Sequence, residues 1–138
     1  MTAYLDTSLL ISLLAEDRHT PRAQAWSGQG GRVTISTWAL VEVSSVLGLK
    51  VRQGVLTPAQ HEQAESRVAL LAANPLVIAP TKPIDMIAAR TLVLSSRNLR
   101  APDALHLAIA MRLSLDLATF DDGLKQAAAA VGCGIVAL

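Results

Sequence analysis

The stretch TWALVEVSSVLGL, residues 37 to 49, carries one carboxylate on an otherwise apolar helical segment. The helical neighbours of Glu42 at i−4, i−3, i+4 and i+7 are Trp38, Ala39, Val46 and Leu49, which share a face with it. A buried ionised acid without a partner is strongly disfavoured, so Glu42 must be neutral, paired or bound to a cation. Three further acids fall where an α/β chain would gather them. Asp6 closes the first strand, Asp103 opens a late helix, and Asp121 follows the strand after that helix. Open parallel sheets build their sites beyond the carboxyl ends of the strands, and a helix running out with a strand running back returns Asp103 and Asp121 to one edge. Two like charges ~4 Å apart cost about 4 kcal/mol at an effective dielectric of about 20. Shared protons or divalent cations relieve such repulsion. An oxygen-only donor set suits hard ions, so Mg²⁺ or Mn²⁺ is the expected partner, as one or two ions.

Each acid also has a structural role open to it. Asp6 can cap the first helix, Asp103 can favour the positive end of its own helix, and Asp121 and Asp122 can serve as turn and N-cap residues before GLKQ. The interior stripe offers Glu42 no such role. The convergence of all four acids on one edge is what points to chemistry.

The elements that must position them follow from pattern and punctuation. TAYLD opens the chain as a strand, and TSLLISLLAED continues as a helix with Thr7 or Ser8 as cap. TPRAQAW is a second short helix with Pro21 in its first turn, and RVTIS at 32 to 36 is a β-branched strand. Residues 37 to about 53 form the Glu42 helix, ended by Gly54. TPAQHEQAESRVALLAAN is a helix capped by Thr57, with Asn74 near its end, and PLVIAP is a strand. Helices start at Pro83 and Pro102, LDLAT at 115 to 119 is a strand, DDGLKQAAAAVG is a helix that Gly132 ends, and GIVAL is a last strand. Alternating strands and helices predict a three-layer α/β/α sandwich around a parallel sheet of about five strands, with six or seven helices. The whole chain, 1–138, reads as a single domain.

Composition narrows the function. Hydrophobic residues make up 51% of the chain and the net charge is +1, so this is a compact protein without the strong basic excess of a general nucleic-acid binder. The single cysteine, Cys133, excludes an internal disulfide or a cysteine metal cage and is expected to be buried. Charges interrupt every apolar stretch before it could span a bilayer, and no basic region precedes the first apolar run. No membrane segment and no leader peptide are expected, and a cytoplasmic location is the default.

YLDTSLLISLL, the glutamate of WALVEV, RAPDALHLAIA and ATFDDGL, taken in this order and spacing, resemble the PIN-domain family, and most of all the VapC-type ribonuclease toxins of prokaryotic toxin–antitoxin pairs. The resemblance covers the whole chain, and RAPDALHLAIA is its most specific part. It implies that Asp6 and Asp103 match metal-binding aspartates and that Glu42 matches the family's helix glutamate. Asp121 matches the acid of the T-x-D-x-x-L pattern formed with Thr119 and Leu124, and Asp122 is the alternative in a shifted register. Ser8 resembles a family position near the metal, and Thr119 orients a ligand or water. The resemblance further implies a Mg²⁺- or Mn²⁺-dependent endoribonuclease acting on RNA, a homodimer, and silencing by a cognate antitoxin protein.

On that basis the expected chemistry is hydrolysis of an RNA phosphodiester by in-line attack of an activated water. Asp6 and Asp103 are expected as direct ligands, Asp121 as a ligand directly or through water, and Glu42 as holder of a second ion or acceptor of the water's proton. Arg100, with Arg97 and Arg18 behind it, is a candidate phosphate contact. His106 is expected to pack or cap, His19 and His61 to lie on the surface, and Trp26 and Trp38 to pack in a core or interface. The apolar helices near the N-terminus and at 84 to 94 are candidates for a dimer surface. Rival readings are a metal-dependent phosphatase, which would want D-x-D where this chain has DTS, and a signalling receiver domain, which would need an aspartate after a middle strand. A third rival, a non-catalytic PIN-like RNA-binding protein, would have lost acids that are all present here.

Overall fold

The computed structural model describes residues 2–73 and 76–138. The chain runs β1 (Thr2–Leu5), α1 (Thr7–Leu14), α2 (Thr20–Ser27), β2 (Arg32–Ser36), α3 (Thr37–Arg52), α4 (Pro58–Ala73), β3 (Leu76–Ala79), α5 (Pro83–Ser95), α6 (Ala101–Arg112), β4 (Asp116–Ala118) and α7 (Asp122–Ala130). Asn74 and Pro75, expected at the end of α4 and the start of β3, lie outside the described residues.

The strands form one sheet in the order β3-β2-β1-β4, and every pairing is parallel. All carboxyl ends therefore share one edge. β1 occupies the interior with Tyr4 opposite both Thr34 and Leu117, which makes the residue after Leu5 central to that edge. The backbone N–H of Asp6 still reaches the carbonyl of Ala118 (3.3 Å), so the ladder delivers Asp6 directly beside the end of β4.

Period-two alternation splits the interior into two cores. Ala3, Leu5, Ile35 and Ala118 face Leu9, Leu10, Trp26, Val43 and Leu47 on one side. Tyr4 and Leu117 face Leu92, Leu105, Leu107, Ile109 and Leu124 on the other. The expected three layers are thus present, with α1 to α4 contributing to one core and α5 to α7 to the other. Among the described residues the sheet has four strands where about five were expected. GIVAL makes a single parallel bridge, Leu117 to Ile135, flanked by bonds from Leu117 N–H to Gly134 O and from Val136 N–H to Leu117 O. β4 is three residues long, and beyond it Thr119 turns into the site, so the ladder offers the last segment little to pair with.

Caps fix where the helices begin. Asp6, and not Thr7 or Ser8, caps α1, its Oδ1 accepting the N–H of Leu9 at 3.0 Å. Ser36 caps α3 and Asp121 caps α7. Thr57 and Gln60 exchange hydrogen bonds at the head of α4. α6 starts at Ala101, one residue before the expected Pro102. Gly54 (φ 71°) and Gly132 (φ 75°) take the left-handed conformation just past α3 and α7, where a side chain would be strained.

Candidate active site

Asp6 is 3% exposed at the end of β1. Its carboxylate accepts the Leu9 N–H, the Ser8 hydroxyl on both oxygens (2.8 and 2.9 Å) and the Thr119 hydroxyl at 2.5 Å. None of these donors carries a full charge, and among the described residues Asp6 has no basic ion-pair partner. Burial therefore pushes its carboxyl above the ordinary aspartate range, against the pull of Thr119, Leu9, His106 and Ser8. Thr119 is fully buried and works in two directions, donating to Asp6 while its oxygen accepts the N–H of Asp121 at 3.0 Å. It ties the start of α7 to the end of β1.

Asp103 stands in the first turn of α6, where Arg100 Nε donates to Oδ2 at 3.1 Å. Burial raises its pKa, Arg100 opposes the rise, and the charge of Asp121 adds to it. Asp121 Oδ1 caps α7 through the Leu124 N–H at 2.7 Å. Asp122 turns outward, its side chain 89% exposed beside Lys125. Of the two registers, Asp121 is the acid on the cleft.

Glu42 corrects the sequence expectation in two ways. The buried stripe of α3 is Ala39, Val43 and Leu47, one position on from the stripe drawn through Glu42, and Leu49 is 43% exposed. Glu42 thus borders the core and opens to the cleft. Its partner is also already present in the protein: Oε1 lies 2.5 Å from His106 Nε2 and accepts the Thr7 hydroxyl at 2.8 Å. Burial would raise the pKa of Glu42, but His106, with Thr7 and Arg100, holds it below the ordinary glutamate range. His106 is buried as expected, but it also bonds a candidate site acid.

Asp6, Ser8, Glu42, Arg100, Asp103 and Asp121 line one cleft of about 410 Å³ at the carboxyl edge of the sheet. Lys50 and His19 line it too, and sequence reasoning missed both roles. Lys50 sits two turns beyond Glu42, a spacing that was legible; His19 is brought in by stacking on Phe120, with centroids 4.4 Å apart. Arg97 and Arg18 are exposed and do not line the cleft themselves, although Arg18 Nε donates to the lining His19 at 3.1 Å. Trp26 is buried in the first core and Trp38 packs against the second. Cys133 is half-buried, less enclosed than expected, with its thiol near Leu115 O.

The donor chemistry fits a hard divalent ion: the four acids offer carboxylate oxygens, Asp6 is buried with no basic ion-pair partner among the described residues, and the charge of Asp121 opposes the ionisation of Asp103. Among the described residues, no three acidic, histidine or cysteine side chains are set to enclose an ion as they stand. Arg100 holds Asp103 and His106 holds Glu42, so binding requires at least the exposed Arg100 to give way.

A second buried aspartate provides the contrast. Asp85, 1% exposed, meets Arg112 through two bonds (2.6 and 3.0 Å) and accepts the Lys82 N–H, which keeps its carboxyl low despite burial. Asp85 is a neutralised structural acid, and Asp6 is not.

The family model of the PIN domain matches residues 3–130. Ribonuclease VapC47 of Mycobacterium tuberculosis is 33% identical over 121 residues, covering 85% of this chain and 80% of that protein. Among solved structures, VapC20 of M. tuberculosis, described as a sarcin–ricin loop cleaving toxin, superposes with a TM-score of 0.73 at 17% identity, covering 92% of this chain and 95% of that one. FitAcB from Neisseria gonorrhoeae gives 0.74 at 20% identity, covering 99% and 97%. A toxin–antitoxin complex from Klebsiella pneumoniae gives 0.66 at 22% identity, covering 98% and 96%. The structural matches establish the fold.

Proposed function

The chain belongs to the PIN-domain family, and from that premise we propose that it is a divalent-metal-dependent endoribonuclease, the toxin of a type II toxin–antitoxin pair. The observation that carries the proposal is the gathering of Asp6, Glu42, Asp103 and Asp121 on one cleft. The naming of the 33%-identical relative as a ribonuclease supports the activity.

Asp6, Asp103 and Asp121 would hold the ion or ions, Mg²⁺ or Mn²⁺. When bound, such an ion supplies Lewis-acid stabilisation of the phosphoryl oxygens and lowers the pKa of an attacking water. The protein's own groups do the rest. Ser8, Thr119 and the Leu9 N–H fix the Asp6 carboxylate, so it meets its ligand without losing rotamer freedom. Glu42, kept ionised, accepts the proton of the attacking water. Both its protein bonds fall on Oε1, which leaves Oε2 for that proton. Arg100, released from Asp103, and Lys50 meet the RNA phosphates.

The partner proposed on the family premise is a small antitoxin protein; the FitAB, VapBC2 and Klebsiella relatives were solved as complexes, some with DNA. A homodimer is proposed on α5, where Ile84, Ile87 and Leu94 are 56%, 64% and 72% exposed. The N-terminal helix is unsuited to that role, because Leu9, Leu10, Ile11 and Leu14 are buried in the first core. No helix among the described residues is long and apolar enough to cross a membrane, and the cytoplasm is proposed as the compartment. The test is cleavage of a mixed RNA pool by purified protein with and without Mg²⁺ or Mn²⁺, with mapping of the ends. Metal-dependent internal cuts that disappear in Asp6→Asn are expected; cuts that persist in that variant, or that survive chelation, would overturn the proposal.

A further inference from the structure

His106 and Tyr4 form a buried polar chain that no ligand-holding role explains. Tyr4 and His106 are 0% and 1% exposed. The Tyr4 hydroxyl lies 2.8 Å from His106 Nδ1 and 2.9 Å from the Ser36 hydroxyl, and Ser36 accepts the Ala39 N–H at the head of α3. His106 Nε2 reaches Glu42 Oε1 at 2.5 Å, with the Thr7 hydroxyl 3.1 Å from the same nitrogen. An ionised carboxylate only accepts, so this contact fixes a proton on Nε2. The chain thus starts on β1, braces the N-terminus of the helix that carries Glu42, and ends on the carboxylate of Glu42 itself.

We infer that His106, oriented by Tyr4, is a positioning residue that holds the Glu42 carboxylate in its working rotamer. The inference rests on the nuclease reading of the cleft. A buried histidine needs partners, but Tyr4 and Thr7 would satisfy it without Glu42. Glu42, at 21% side-chain exposure, would be solvated without His106. Their meeting therefore costs both groups freedom that neither needs for its own solvation. What it achieves is directional. Glu42 has three rotatable bonds, and two donors on one oxygen lock them while leaving the other oxygen unbonded. His106 also sits one turn after Asp103 on α6, so a single helix presents Asp103 directly and aims Glu42 through its histidine. Outer partners of this kind change activity by about 10- to 100-fold when removed.

The test compares kcat and KM on a defined RNA substrate for Tyr4→Phe, His106→Leu, His106→Gln and Glu42→Ala, with melting temperatures alongside. His106→Leu should lower kcat by about 100-fold with KM little changed, and His106→Gln, which restores a donor near Nε2, should recover about 10-fold. Tyr4→Phe removes one oxygen from a packed ring and should lose about 10-fold, which keeps the inference testable if His106→Leu folds poorly. The decisive reading is the pair Glu42→Ala with His106→Leu or Tyr4→Phe. If both residues act through Glu42, neither slows the Glu42→Ala protein further. Multiplying losses, or variants that lose stability with kcat intact, would overturn the inference while leaving the nuclease reading standing. Wild-type protein that cuts no RNA would end both.

Discussion

Asp6 and Asp85 are both buried aspartates, and neutralising each should move stability in opposite directions. Asp85→Asn breaks a two-bond ion pair with Arg112 inside the α5–α6 contact. Removing one partner of a buried pair costs about 3–5 kcal/mol, and the lower end applies because the Arg112 side chain, 23% exposed, can recruit water. With an unfolding entropy of about 2.1 cal/mol/K per residue, this chain carries about 0.3 kcal/mol/K, so Tm should fall by about 10 °C. Asp6→Asn keeps the helix cap and removes a buried charge that has no ion-pair partner among the described residues. Burial holds the Asp6 pKa up, so its ionisation costs stability at neutral pH, and the asparagine variant should melt no lower than wild type in chelator. Adding Mg²⁺ or Mn²⁺ should then raise the wild-type Tm and leave Asp6→Asn where it was. Thermal unfolding by circular dichroism, run with EDTA and with each metal, reads all of these. If Asp6→Asn melts well below wild type in EDTA, Asp6 is a structural acid like Asp85, and the reasoning fails.

Three other outcomes follow from the same geometry. Asp121→Asn should depress cleavage strongly while Asp122→Asn leaves it near wild type, because only Asp121 lines the cleft; equal losses in a nuclease assay would contradict this. The native pKa values of Asp6 and Asp103 are raised, so between their ordinary and raised values the folded state binds more protons than the unfolded one, and their contribution to stability grows as pH falls. Glu42 and Asp85 are lowered, so their contribution is present above ordinary carboxylate values and is lost as pH falls through the lowered ones. The metal-induced rise in Tm should accordingly vanish on acidification before the Asp85 pair is lost, and a rise that survives until acid unfolding would contradict the assignment. Placing aspartate at Ile87 and Leu94 should convert a dimer to a monomer in light scattering; an unchanged mass would move the interface elsewhere.

Much of this arrangement is written locally. The β-branched run RVTIS and the opening TAYLD, with Pro83 and Gly132 as punctuation, located strands and helix limits, and parallel order alone sends Asp6 and Asp121 to one edge. What failed was non-local or depended on phase. Glu42 was assigned to the buried stripe because its neighbours at i−4, i−3, i+4 and i+7 are apolar, yet a helix turns 100° per residue, and of those only Ala39 is on the buried stripe, which continues through Val43 and Leu47. Its histidine partner is 64 positions away, and nothing in the spacing of Glu42 announces it. The fifth strand failed because β-branched composition in GIVAL measures willingness to extend, whereas a ladder needs a partner of adequate length, and β4 is short.

The cleft between β1, α3 and α6 is proposed to hold a divalent ion. Diffraction from crystals soaked in Mn²⁺, with anomalous differences collected at the manganese edge, tests it most directly. A peak bounded by the carboxylates of Asp6, Asp103 and Asp121, with Arg100 swung off Asp103, is the expected result. A cleft without a peak at saturating Mn²⁺, or manganese bound only elsewhere on the protein, would contradict it.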